Sequence, residues 1–311
     1  MSRIDEALRQ AGKKSASGAD GAEPEVTLDA FPDLSPESPG TSERPLRASM
    51  VSVEQTDVMP AWNENVAERF VTHRNADTVV VEQYRRLAGI LHQAQVDRAI
   101  KVVMLGSAQA AEGKTLTAAN LALTLSESYK RRVLLIDADL RRPSLGRVFG
   151  ISPSAGLSEC LKSQELQTLR ITNVTESLGL LMAGHADQDP LGGLTSGRMQ
   201  EIIEQAAAGF DWVILDTPPL GLMTDAHLLA AMVDAAVLVI DAGTTQHAVV
   251  QRAIESIGRE KIVGVVLNRV ERRALAEASY YTYYGDAART KARRKYLTGR
   301  SIVADASGTT R

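Results

Sequence analysis

Short, nearly uninterrupted apolar runs punctuate the middle of the chain, at residues 100–105, 133–136, 178–182, 212–215, 236–240 and 262–267. They are rich in Val, Ile and Leu and lack polar alternation. Such runs predict strands covered on both faces, as in a parallel sheet. Residues 116–129 and 199–208, lying between runs, have the length and composition of helices. Ahead of the first run, Val80, Tyr84, Leu87 and Leu91 recur at spacings of three and four, the mark of an amphipathic helix. The alternation predicts an α/β fold, a doubly wound and mostly parallel sheet over about residues 77–272. The implied boundaries are a mostly disordered arm over 1–68, a helix over 69–97, the main domain over 98–272 and a tail over 273–311.

Outside this region the pattern changes. From about Gly12 to Ala61, Ser, Pro, Glu and Gly dominate. Such a segment buries too little apolar surface to offset its ordering entropy. Residues 1–10 place Ile4, Ala7 and Leu8 on one helical face, either a frayed terminus or a docking peptide. The net charge of −3 gives no general attraction to nucleic acid, and 4% aromatics are too few for base stacking. Cys160 is the single cysteine, so no intrachain disulfide can form. No window of about 20 apolar residues exists, and the stretch 230–240 is interrupted by Asp234. The expectation is a cytosolic protein, held at the inner face of the cell membrane only through a partner.

The candidate chemistry sits at strand ends. The first apolar run leads through Ser107, Ala108, Gln109, Ala110, Ala111, Glu112, Gly113, Lys114, Thr115 and Leu116 into a helix. This is a phosphate loop with alanine at its first glycine position. Backbone N–H groups and the helix N-terminus would surround a phosphate. Lys114 would reach the β- and γ-phosphates and Thr115 would offer its hydroxyl to Mg²⁺, making ATP and Mg²⁺ the expected cofactors. The second run ends in Asp137, Ala138, Asp139, Leu140 and Arg141, and another in Asp216, Thr217, Pro218 and Pro219. A helix cap would explain any one of these carboxylates. Together, after a phosphate loop, they point to metal-nucleotide binding at the carboxyl edge of the sheet.

Taken together, these motifs resemble the bacterial tyrosine kinases, P-loop autokinases of capsule and exopolysaccharide synthesis. The family pattern accepts alanine at the first loop position, and its D-x-D-x-R motif matches Asp137, Asp139 and Arg141. Its Walker B segment matches Val213 to Asp216, and the likeness covers about residues 77–300. The resemblance implies Mg²⁺ held by Thr115, Asp137 and Asp216, with Asp137 or Asp139 assisting deprotonation of a tyrosine and Lys114 stabilising the transferring phosphoryl group. Arg141 joins the catalytic set, and Asn268 and Arg269 are expected near the base. A tyrosine cluster near the C-terminus is a family feature. Here Tyr280, Tyr281, Tyr283, Tyr284 and Tyr296 are the expected acceptors.

The family's oligomer helix reads E-x-x-R-x-x-R; Glu82 and Arg85 match, while Ala88 departs and Arg86 is an imperfect substitute. The implied partners are a membrane-embedded polysaccharide co-polymerase or chain-length regulator as activator, a cognate phosphatase and further copies of the chain. The N-terminal residues look like those of autokinases of exosortase-type systems. Two other readings remain: a septum-site or partition-type positioning ATPase, and a non-catalytic, nucleotide-gated regulator of polysaccharide export. The first carries a signature lysine where this chain has Gln109.

Overall fold

The apolar runs become the centre of one sheet. The structure, a computed structural model, describes residues 53–57, 67–152, 154–163, 169–221 and 223–270. In chain order the strands are β1 (Val53–Asp57), β2 (Val102–Ser107), β3 (Val133–Asp137), β4 (Leu169–Thr175), β5 (Leu178–Leu181), β6 (Trp212–Asp216), β7 (Ala235–Asp241) and β8 (Ile262–Asn268). The spatial order is β1-β4-β5-β3-β6-β2-β7-β8. Every pairing is parallel except β4 with β5. Helices α1 (Thr78–Arg98), α2 (Lys114–Leu123), α3 (Leu145–Phe149), α4 (Leu157–Lys162), α5 (Leu191–Leu194), α6 (Arg198–Gly209), α7 (Thr224–Met232) and α8 (His247–Ile257) connect the strands.

Strands β2, β3, β6 and β7 are buried at every position. Their side chains feed two apolar clusters, one on each face of the sheet. Leu134, Ile136, Val213 and Leu215 point to one, with Ile202 of α6 and Val250 of α8. Leu135, Ile214 and Trp212 point to the other, with Leu91 of α1 and Leu121 of α2. The period-2 alternation of a strand divides each run between the two faces, which is why a doubly wound sheet needs runs apolar throughout.

Two strands lie outside the sequence prediction. β4 mixes buried positions with half-buried and exposed ones along LRITNVT, as a strand near the edge of a sheet does. β1, with sequence VEQTD, has Glu54, Gln55 and Thr56 exposed and lies in the stretch expected to be unstructured. Its pairing with β4 supplies order that its own composition does not.

Helix α1 begins at Thr78 rather than at residue 69, because the Asp77 carboxylate accepts the Val79 N–H at 2.9 Å and caps it there. Leu91 and Ala88 are buried, Leu87 and Tyr84 are half-buried, and Val80 is exposed. The apolar stripe thus reaches the core only in the second half of the helix. The Asn120 side chain of α2 accepts the Val71 N–H at 2.8 Å and donates to the Arg69 carbonyl at 3.0 Å. The chain divides after Asn268 into two units. The tyrosines Tyr280, Tyr281, Tyr283, Tyr284 and Tyr296, and the candidate helix over 1–10, lie outside the described residues. Among the described residues no helix is long and apolar enough to cross a membrane.

Leu91→Ala tests whether α1 is integral to the domain. Truncating this fully buried side chain is expected to cost about 3 kcal/mol, measured as a shift in the urea unfolding midpoint of a single transition. An unshifted midpoint would show that α1 unfolds independently of the sheet.

Candidate functional site

Parallel pairing brings the site together at the carboxyl edge of the sheet. β3 and β6 are neighbours in register, with Asp137 opposite Asp216. β2 lies beside β6, and the phosphate loop follows it. Ser107 ends β2, and its hydroxyl donates to the Gln109 carbonyl at 2.8 Å. Ala108 is buried, while Gln109, Ala110 and Ala111 are exposed at the loop apex. Ala111 takes a left-handed φ of 64°. Alanine tolerates that conformation at a cost glycine would not incur. Gly113 caps α2 at φ 89°. A Cβ there would lie 2.0 Å from Asn268 Nδ2, so glycine is required twice over, by backbone and by space.

At the centre is a buried ion pair. Lys114 Nζ lies 2.5 Å from Asp216 Oδ1, with the two side chains 8% and 0% exposed. Asp137, also fully buried, is held by its Oδ2, which accepts the Ser144 and Leu145 N–H groups at 2.9 Å each. The Thr115 hydroxyl is 2.8 Å from that of Ser144. One ammonium therefore faces two buried carboxylates. Burial first, and the Asp216 charge second, push Asp137 up to about 7, against the opposing pull of the Leu145 and Ser144 N–H groups and Lys114.

These residues fit Mg²⁺. Asp137 Oδ1 and Asp216 Oδ2 are buried with no hydrogen-bond partner among the described residues. Two such oxygens, with the Thr115 hydroxyl, form the hard oxygen set that Mg²⁺ takes alongside phosphate and water.

The other expected residues are placed differently. Asp139 is half-buried, accepts the Arg142 N–H at 3.1 Å, and has its carboxyl raised chiefly by burial. Arg141 turns to Asp225, which it grips through Nε at 2.6 Å and Nη2 at 3.2 Å, and it also donates to the Gln188 carbonyl. Asn268 Nδ2 donates to the Glu112 carbonyl at 2.8 Å, tying the loop to β8. Arg269 begins the second unit and takes φ 56°. Leu116 is half-buried in the first turn of α2. Glu82 and Arg85 of α1 form an exposed pair at 3.7 Å. Ala88 in that helix is buried, so an arginine there would enter the core. Ser144 and Asp225 were not marked as site residues by the sequence. Their roles depend on which loops the sheet places side by side.

Residues 98–297 match the family described as ParA, NUBPL iron-transfer P-loop NTPase. The chain is 38% identical over 208 residues to tyrosine-protein kinase YwqD of Bacillus subtilis (strain 168), spanning 66% of this chain and 86% of that protein. It is 33% identical over 185 residues to succinoglycan biosynthesis transport protein ExoP of Rhizobium meliloti (strain 1021), spanning 58% of this chain and 23% of that one. Among solved structures, the VpsO kinase domain is 33% identical, with a TM-score of 0.52, covering 62% of this chain and 97% of that domain.

The buried carboxylate gives a pH dependence. Asp137 titrates near 3.8 in an unfolded chain and at about 7 when folded. Between those values the folded state holds the extra proton, so the metal-free protein loses stability as pH rises through the window. Asp137→Asn is expected to flatten that slope and to be more stable by on the order of 2 kcal/mol at the alkaline end, read from urea unfolding at the two ends of the range. The same slope in wild type and variant would remove Asp137 as its origin.

Proposed function

This chain belongs to the bacterial protein-tyrosine kinases, P-loop NTPases of the ParA type, and from that membership we propose how its residues divide the work. The observation that carries the assignment is the buried set of Lys114, Asp137 and Asp216, with a carboxylate oxygen of each aspartate left unpaired among the described residues. Thr115, Asp137 and Asp216 would hold Mg²⁺, which would supply neutralisation of phosphate charge. Lys114 then exchanges Asp216 for the β- and γ-phosphates of ATP and stabilises the charge that develops on the transferring group. Backbone N–H groups of residues 108–116 would cradle the phosphates, and Asn268, tied to the loop through the Glu112 carbonyl, would serve the side of the base.

The proton of the attacking tyrosine needs an acceptor, since a free tyrosine has a pKa of about 10. Asp139 suits this role better than Asp137. Its carboxyl is partly accessible and raised by burial, whereas Asp137 Oδ2 is committed to two backbone N–H groups. Asp139 takes the proton, the tyrosine oxygen gains the phosphoryl group, and ADP leaves. Arg141, engaged by Asp225, acts as a positioning residue that steadies the loop bearing Asp139. The acceptors are Tyr280, Tyr281, Tyr283, Tyr284 and Tyr296. Their phosphates would add several negative charges within a short segment, altering its docking.

The process served is polymerisation and export of exopolysaccharide or capsule. A membrane-embedded co-polymerase activates the kinase at the inner face of the membrane, a phosphatase resets it, and copies of the chain associate through α1.

Purified protein with ATP and Mg²⁺, and with the activator's cytoplasmic segment added, should gain phosphotyrosine within 280–296, read by mass spectrometry. Lys114→Met should lower labelling by at least about a hundredfold. Steady ATP hydrolysis without phosphotyrosine would replace the kinase with a positioning ATPase. Binding without either reaction would leave a nucleotide-gated regulator.

The clamp on Arg141 is testable separately. Asp225→Asn should lower kcat by about tenfold with little change in KM for ATP. A change in KM alone would place Arg141 on the nucleotide instead.

A further inference from the structure

Glu112 stands in the phosphate loop, and its carboxylate is buried beneath it. Its Oε2 accepts the Gln109 N–H at 2.8 Å. Its Oε1 accepts the Asp241 N–H at 3.3 Å and the Thr245 hydroxyl. Its main-chain carbonyl accepts Asn268 Nδ2. One residue thus ties the loop to itself, to the turn between β7 and α8, and to the end of β8. Thr245 is itself buried, and its N–H and that of Thr244 donate to the Asp241 carbonyl. The turn is therefore tied back onto the end of β7 by its own hydrogen bonds.

A buried carboxylate is costly unless its oxygens are satisfied. Here they are met by charge-assisted hydrogen bonds from two backbone N–H groups and a hydroxyl, which have narrow geometry. An apolar side chain would fill the space but fix nothing. We propose that Glu112 is a positioning residue that makes the β7–α8 turn part of the phosphate cradle, with Thr245 as its anchor. The inference rests on Mg-ATP being the ligand of the loop. It assigns Thr245, which lies outside the loop and about 130 residues away in sequence, to the control of nucleotide affinity. The physical route is direct. Oε1 fixes the carboxylate against the turn, Oε2 fixes Gln109, and Gln109 sets the direction of the N–H groups that follow it.

The test uses the full chain, with nucleotide binding followed by a fluorescent ATP analogue and transfer followed by phosphotyrosine. Thr245→Val keeps the side-chain volume and removes the donor. It is expected to raise Kd and KM for ATP about tenfold, as loss of a hydrogen bond to a charged group does. The rate at saturating ATP should stay within about twofold. Thr245→Ser, which restores the hydroxyl, should return affinity to the wild-type value. Glu112→Gln should weaken ATP in the same direction, since an amide cannot accept at both oxygen positions. If Thr245→Val binds ATP like wild type, or loses thermal stability and rate with KM unchanged, the inference is overturned. If Ser fails to rescue, the hydroxyl is not the anchor and the inference falls equally. Wild-type protein that binds no ATP would overturn the nucleotide reading itself, and this inference with it. Wild-type binding with an unmoved Thr245→Val overturns this inference alone.

Discussion

The ion pair between Lys114 and Asp216 is the constraint around which the site is organised. An ammonium and a carboxylate at 2.5 Å in the interior compensate a desolvation that neither could bear alone. Each end sits on a different element. Lys114 opens α2 after the phosphate loop, and Asp216 closes β6. The pair can form only if β6 inserts between β2 and β3, as the strand order has it. The same insertion puts Asp137 beside Asp216. The fold therefore builds a site with more negative than positive charge, and such a site is completed by a cation.

Around this centre the loops act as braces. Ser144 and Leu145 hold Asp137, Asp225 holds Arg141, and Glu112 holds the loop apex to the β7–α8 turn. These braces come from different crossover connections, each beginning at the carboxyl edge. In a parallel sheet every such connection starts on the same edge. Hydrogen bonds between neighbouring loops can thus fix catalytic side chains without disturbing the strands. Catalysis by a phosphoryl-transfer enzyme is largely positioning and electrostatics, and these hydrogen bonds are what positions the side chains of the site.

The charges at this centre are also under tension. Asp137 is disfavoured as a charged group by burial and by Asp216, and Lys114 is neutralised by a partner that a metal would claim. Binding a divalent cation with a polyphosphate relieves both tensions at once.

The phosphate loop, the aspartates at strand ends and the central parallel strands are legible in the residues alone. Each is a local pattern with a local cause: runs apolar on both faces, and Gly113-Lys114-Thr115 at a helix start. The sequence did not reveal β1 or β4, because VEQTD and LRITNVT carry no continuous apolar run and draw their order from neighbouring strands. It left Asp137 and Asp139 as equal candidates for the base. Tertiary structure gives them different surroundings, burying Asp137 behind two N–H donors and leaving Asp139 partly accessible. It also paired Arg141 with Asp225 and placed Thr245 behind Glu112. Those assignments depend on which crossover loops lie side by side, and strand order, a property of the whole sheet, is what decides that.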